Sequence, residues 1–261
     1  MSFTSISPLE VPELRWRITR FVTLKDAITC ARVCKAWKDN FVSVIWHTID
    51  FAVHDLKDMN LKALEKNGHH IRIVKNMIDV EEVLVLLESN ASNLRSISLK
   101  KTMLTLLPEF HAYFNDLMRR NNTTIEHIEI PSSGGQFYNF DCLSPHTSTG
   151  MTSKLSSLKF QSLTMTRNAF SSMLKIFPCL TKLNMRDMIL SSWSVRGKLG
   201  ADHYRHHGVT YLTASVNQVF RMDSKSENPH SLLVHFPNLR TWHLLNSSNP
   251  LEVKIEELRD E

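Results

Sequence analysis

A short apolar pattern, apolar-x-x-apolar-x-apolar, recurs along most of the chain and constrains its fold more than any other feature. It reads Leu94-x-x-Ile97-x-Leu99, Ile125-x-x-Ile128-x-Ile130, Leu155-x-x-Leu158-x-Phe160, Leu180-x-x-Leu183-x-Met185 and Leu239-x-x-Trp242-x-Leu244. Less complete copies start at Ile71, with Val74, and at Val209, with Leu212. The first positions are separated by 23, 31, 30, 25, 29 and 30 residues, a mean of 28. Two copies share a lead-in, Phe177-Pro178-Cys179-Leu180 and Phe236-Pro237-Asn238-Leu239. Inside each copy apolar and polar residues alternate with period two, as in a strand buried on one face. Helical stripes lie between copies. Val80, Val83, Leu84 and Leu87 fall at i, i+3, i+4 and i+7, and Phe170, Met173, Leu174 and Phe177 repeat that spacing before Pro178. Phe110, Phe114 and Leu117 follow Pro108 in the same way. A unit of one strand and one helix buries its apolar faces only against its neighbours. The expectation is therefore a mixed α/β chain of stacked units.

A period in the twenties to low thirties around such a motif resembles leucine-rich repeats. The resemblance implies an irregular solenoid over residues 51–261, whose polar strand positions line a concave face. Those positions are His127, Glu129, Ser157, Lys159, Gln161, Lys182, Asn184, Arg186, Thr241 and His243. Two stretches interrupt the pattern: Pro131 to Lys154, 24 residues rich in Ser, Thr and Gly, and Ser191 to Gly208. Loops of that length are functional or mobile in compact domains. The charged run Lys254 to Glu261 shows no capping repeat, which leaves open a longer array.

Residues 8–50 differ in texture. Pro12 suits a first helical turn, and Leu14, Ile18, Phe21 and Val22 follow at helical spacing. Thr23 caps a second run with Asp26 at the third helical position. The apolar face expected for that run is Ala27, Cys30, Ala31, Val33 and Cys34. A third run, Lys35 to Trp46, carries Trp37, Phe41, Val44 and Ile45. Three helices in about 40 residues rarely bury enough surface to stand alone. Trp16, Trp37 and Trp46 are thus either core or part of a docking surface.

The segment with Pro12-Glu13-Leu14, Ile18, Asp26, Val33-Cys34-Lys35-x-Trp37 and Trp46 resembles an F-box. It departs from the family pattern at Val11, Thr19 and Ala27, where proline, phenylalanine and leucine are frequent. The resemblance implies that Pro12, Leu14, Ile18, Val33, Cys34, Trp37 and Trp46 bind a Skp-type adaptor and, through it, a cullin. With the repeats behind it, the chain resembles the F-box/leucine-rich-repeat proteins of fungi. Such proteins are non-catalytic substrate receptors of Skp–cullin–F-box ubiquitin ligases. The protein substrate is expected on the concave cluster Lys159, Gln161, Lys182, Asn184 and Arg186. Three cations there suit an acidic or phosphorylated segment.

Composition narrows the alternatives. Seven glycines stand in 261 residues, where average usage of about 7% gives roughly eighteen. Neither a G-x-G-x-x-G nor a P-loop occurs, so no nucleotide cofactor is expected. The longest wholly apolar run, Val83 to Leu87, is far short of a bilayer span, and no signal peptide is read at the N-terminus. Cys30, Cys34, Cys142 and Cys179 without one read as reduced thiols of the cytoplasm or nucleus. A net charge of +5 is mild for this length. It leaves, as a second reading, a basic solenoid scaffold that binds nucleic acid or proteins independently of ubiquitination.

No catalytic set emerges. His203-x-x-His206-His207 lies in a polar stretch and is expected to be solvated rather than metal-bound. Cys30 and Cys34 are expected to be buried small hydrophobes. His127-x-Glu129 lacks the P-C-x-x-C partner of a zinc deaminase. Neither a metal nor an enzymatic activity is expected. Lys100-Lys101 and Arg119-Arg120 read as ordinary helix-end or loop charges.

Overall fold

Each recurrent apolar triplet becomes one strand of a parallel sheet. The computed structural model describes residues 11–100, 108–130, 154–161, 164–186, 189–191, 205–215, 236–245 and 250–254. The main sheet runs in chain order through β1 (Thr48–Asp50), β2 (Ile73–Met77), β3 (Ser96–Leu99), β4 (His127–Ile130), β5 (Ser157–Gln161), β7 (Lys182–Arg186), β9 (Tyr211–Ser215) and β10 (Thr241–Leu245). These eight pair in parallel, and β11 (Pro250–Lys254) closes the series antiparallel to β10. The central apolar residues sit in one register: Ile49, Val74, Ile97, Ile128, Leu158, Leu183, Leu212 and Trp242 face one another strand by strand. All eight are buried.

The copy at Ile71 reads as incomplete for a physical reason. A bulge lies between Val74 and Met77, so Met77 rather than residue 76 takes the third apolar place and pairs with Leu99. Asn76, at φ 57°, absorbs the extra residue, and its Nδ2 donates to Asp50 Oδ1 at 2.7 Å. An eighth copy, Trp46-x-x-Ile49-x-Phe51, forms β1 and is legible in the sequence once its neighbours are known.

One backbone device repeats at the N-terminal edge of the sheet. The carbonyl just before each strand accepts two amide protons from the next: His47 O from Arg72 and Ile73, Arg72 O from Arg95 and Ser96, Arg95 O from Glu126 and His127. The series continues through the carbonyls of Glu126, Ser156, Thr181 and Thr210. Ser156 and Thr181 add their hydroxyls to the carbonyls of Glu126 and Ser156.

The expected helices are α5 (Val80–Glu88), α6 (Pro108–Arg120) and α7 (Arg167–Ile176), joined by a short α4 (Leu61–Asn67). Asp79 and Glu82 make a capping box on α5, and Asn90, at φ 55°, ends its last turn. Leu86 joins Val83 and Leu87 on the buried face, while Leu84 is half-buried. Gly68 meets this turn so closely that a Cβ there would lie 1.8 Å from the Ser89 carbonyl oxygen. One apolar core runs from Ile49 to Trp242 between strands and helices. A second, two-stranded parallel sheet of β6 (Thr164–Thr166) and β8 (Ile189–Ser191) has no counterpart in the apolar pattern. Most of the stretches 131–154 and 191–208 lie outside the described residues, as does Cys142.

The N-terminal region contains α1 (Pro12–Ile18), α2 (Leu24–Cys30) and α3 (Lys35–Ile45). The Thr23–Asp26 capping box forms as expected. The continuous apolar face expected through Cys34 does not. The helix ends at Cys30 and the chain turns before α3, which leaves Ala27 buried, Cys30 half-buried, and Val33 and Cys34 exposed. The expectation that both cysteines are buried is corrected accordingly.

Candidate binding surfaces

The three N-terminal helices bury little of their own apolar surface. Among their described residues Ala27 and Phe41 are the fully buried hydrophobics, with Trp37 stacked on Phe41 at 5.5 Å. Six of the nine large exposed hydrophobics of the described chain lie here: Leu14, Trp16, Phe21, Leu24, Ile28 and Val33. Phe21 is 86% and Val33 65% exposed. Of the seven residues singled out in the sequence, Pro12, Leu14, Val33 and Cys34 are exposed, and Ile18 and Trp37 are half-buried. Trp46 is placed differently, half-buried against the core beneath the sheet. Trp16 carries the Arg20 guanidinium 4.0 Å above its ring.

The sheet brings the second candidate cluster together. Ser157, Lys159 and Gln161 of β5 lie opposite Lys182, Asn184 and Arg186 of β7, on strands about 5 Å apart. Lys159, Lys182 and Arg186 do not act as three free cations, however. Glu129, opposite Lys159 on β4, accepts from its ammonium at 2.5 Å. Lys182 and Arg186 of β7 are exposed.

Three residues outside the cluster on β5 and β7 extend it. Thr213 of β9 lies opposite Asn184, and His243 of β10 lies opposite Thr213. The Asn184 Oδ1 and Thr213 Oγ1 atoms are buried without a hydrogen-bond partner among the described residues. Tyr211 and His243 bring their rings within 5.0 Å. Position relative to the weak copy at Val209 is the signal that finds Tyr211 and Thr213.

His206 corrects the expectation of a solvated histidine loop. It is 1% exposed, and Nε2 donates to the Phe177 carbonyl oxygen at 2.8 Å. Nδ1 accepts from the amides of Gly208 and Val209, each at 3.2 Å. Burial holds its pKa below the ordinary 6.5, with His207 pushing the same way. The residue is a neutral fastener between the end of α7 and the approach to β9; His207 is exposed and His203 lies outside the described residues. Arg120 likewise does more than end a helix, since its Nη1 donates to the Leu87 carbonyl oxygen at 3.0 Å and ties α6 to α5.

A groove of about 410 Å³ between α4 and α5 is lined by Leu61, Leu64, Val85, Glu65 and Glu88. Among the described residues no three His, Cys, Asp or Glu side chains gather as metal ligands, and no helix is long and apolar enough to cross a membrane. No protein-family model matches the chain, and no curated protein matches it either.

Proposed function

We propose that this protein is a non-catalytic substrate receptor of a Skp–cullin–F-box ubiquitin ligase. Residues 8–50 form its F-box, and the following strand–helix units form a solenoid of leucine-rich type that holds a protein substrate. The observation that carries the proposal is the imbalance in the N-terminal helices, which bury two hydrophobics and expose six. A partner that covers such a surface supplies the missing core. The second support is the continuous register from β4 through β5 and β7 to β9, which lays polar residues from successive strands on one extended face. Substrate is held there and presented to the ubiquitin-transfer machinery, so the chain acts by raising local concentration.

Co-expression with a Skp-type adaptor tests this. The wild-type chain should co-purify with the adaptor. Replacing the exposed Leu14 and Val33 with Asp should remove it while leaving the chain's far-UV circular dichroism intact. Wild-type adaptor yield from the doubly charged variant would falsify the F-box assignment. In a parallel arm, Lys182→Glu with Arg186→Glu should keep the adaptor and lose the protein partners recovered from cells; an unchanged partner list places recognition elsewhere.

A further inference from the structure

The N-terminal edge of the sheet holds an unexplained run of basic side chains, two of them arginines. His47, Arg72 and Arg95 occupy the same position before β1, β2 and β3, linked carbonyl to amide at 2.9 and 2.7 Å. Strand spacing puts them about 5 Å apart in a column. The next positions along the column are Glu126, Ser156, Thr181 and Thr210, so the fold itself does not require a base there. His70 adds to the run, its ring 3.9 Å from that of His69. Arg72 uses Nη1 on the carbonyls of His69, Ile71 and Asn93, and among the described residues its Nε and Nη2 make no hydrogen bond. Arg95 is 62% exposed, and its nearest acid, Glu126, lies 4.0 Å away, beyond hydrogen-bonding range. The groups act on one another: burial first, then Arg72 and Arg95, holds the His47 pKa below its ordinary value. Burial, then His69 and Arg72, does the same to His70.

We propose that this column is a binding site for a single phosphate group carried on a side chain of a protein partner. The Arg72 and Arg95 guanidiniums, on neighbouring strands, repel, and an anion between them reverses the sign of the interaction. Guanidinium groups match phosphate with paired donors. The extent of the run selects the ligand. Three positions span about 10 Å, and Glu126 bounds them. That suits one phosphoryl group, whereas membranes and nucleic acids are held by longer basic surfaces. The column follows α3 directly, but it shares no residue with the exposed apolar surface of the N-terminal helices or with the cluster on β5 and β7, so it stands whether or not the ligase reading does.

The test follows the histidine ring signals of the full chain by NMR across a pH series, with assignments from His47→Gln and His70→Gln. The probe is capped phosphoserine, N-acetylphosphoserine methylamide; capped serine and inorganic phosphate are run beside it. Capped phosphoserine should raise the midpoints of His47 and His70 and leave His243, at the other end of the sheet, unmoved. Capped serine should do nothing. Arg95→Gln, at an exposed position, should weaken binding about tenfold, with Arg95→Lys intermediate. Inorganic phosphate should produce a similar but weaker shift. Absence of a phosphoserine-dependent shift overturns the proposal, as does a shift indifferent to Arg95→Gln. Binding of inorganic phosphate without capped phosphoserine overturns the side-chain source. Tighter binding of phosphatidylserine vesicles or a single-stranded oligonucleotide at the same column overturns the choice of partner.

Discussion

Two buried titratable side chains give stability opposite dependences on pH. His206 accepts two amide protons at Nδ1, so protonation there breaks both bonds. Its folded pKa lies below 6.5, hence the unfolded chain takes up the proton first and stability falls as pH drops through and below 6.5. Glu82, 6% exposed, accepts from the amides of Ile78 and Asp79, yet burial pushes its pKa up from 4.5 to about 7. Here the folded state holds the proton longer, so stability falls as pH rises from 4.5 to about 7 and is level above. His206→Gln should flatten the acid limb in urea unfolding measured between pH 5 and 7.5. Glu82→Gln should remove the opposing slope and gain roughly 1–3 kcal/mol at neutral pH relative to wild type, since an amide oxygen still accepts both bonds. If either variant keeps the wild-type pH profile, that residue does not titrate as described. Sequence spacing showed neither the burial of Glu82 nor that of His206, whose partners at Phe177 and Val209 meet it only once the strands pair.

At the scale of single elements, the alternation of burial along β7 gives a direct contrast. Leu183 is fully buried between Leu158 and Leu212, whereas Lys182 beside it is exposed. Leu183→Ala should cost about 2–5 kcal/mol by loss of transfer energy plus a residual cavity. Lys182→Ala should change stability by about 0.5 kcal/mol or less. Thermal melts of the two variants check this, and equal shifts would contradict the strand assignment. The strands and the main helices were readable because period two and period 3.6 are local properties of the chain. The β6–β8 pair was not, since three-residue strands carry too few residues to show a period. Nor was the break after Cys30: Val33 and Cys34 continue a helical spacing in sequence but follow a turn in the structure.

For the whole molecule, the join between the N-terminal helices and the sheet matters most. β1 is the edge strand, paired with β2 through Thr48, Ile49 and Asp50, and Trp46 packs on the same core. Cutting the chain at residue 50 therefore removes a strand and exposes the β2 edge. A chain beginning at Ile45 should unfold cooperatively near the wild-type temperature, while one beginning at Phe51 should melt lower and aggregate. Differential scanning calorimetry with size-exclusion chromatography checks this; equal melting of the two would mean that β1 contributes nothing to the sheet's stability.

The sequence by itself determined where most strands and helices form and which of their residues face the core. Those properties depend on residues within a few positions of each other. Only the tertiary structure decided that Trp46-x-x-Ile49-x-Phe51 is an eighth copy of the pattern, that Glu129 neutralises Lys159, and that His206 is a buried fastener. It alone stacked His47, Arg72 and Arg95 into one column. Each of these pairs residues roughly 25–30 positions apart, about one unit. Their meeting is set by how neighbouring units bury their apolar faces, which no local period encodes.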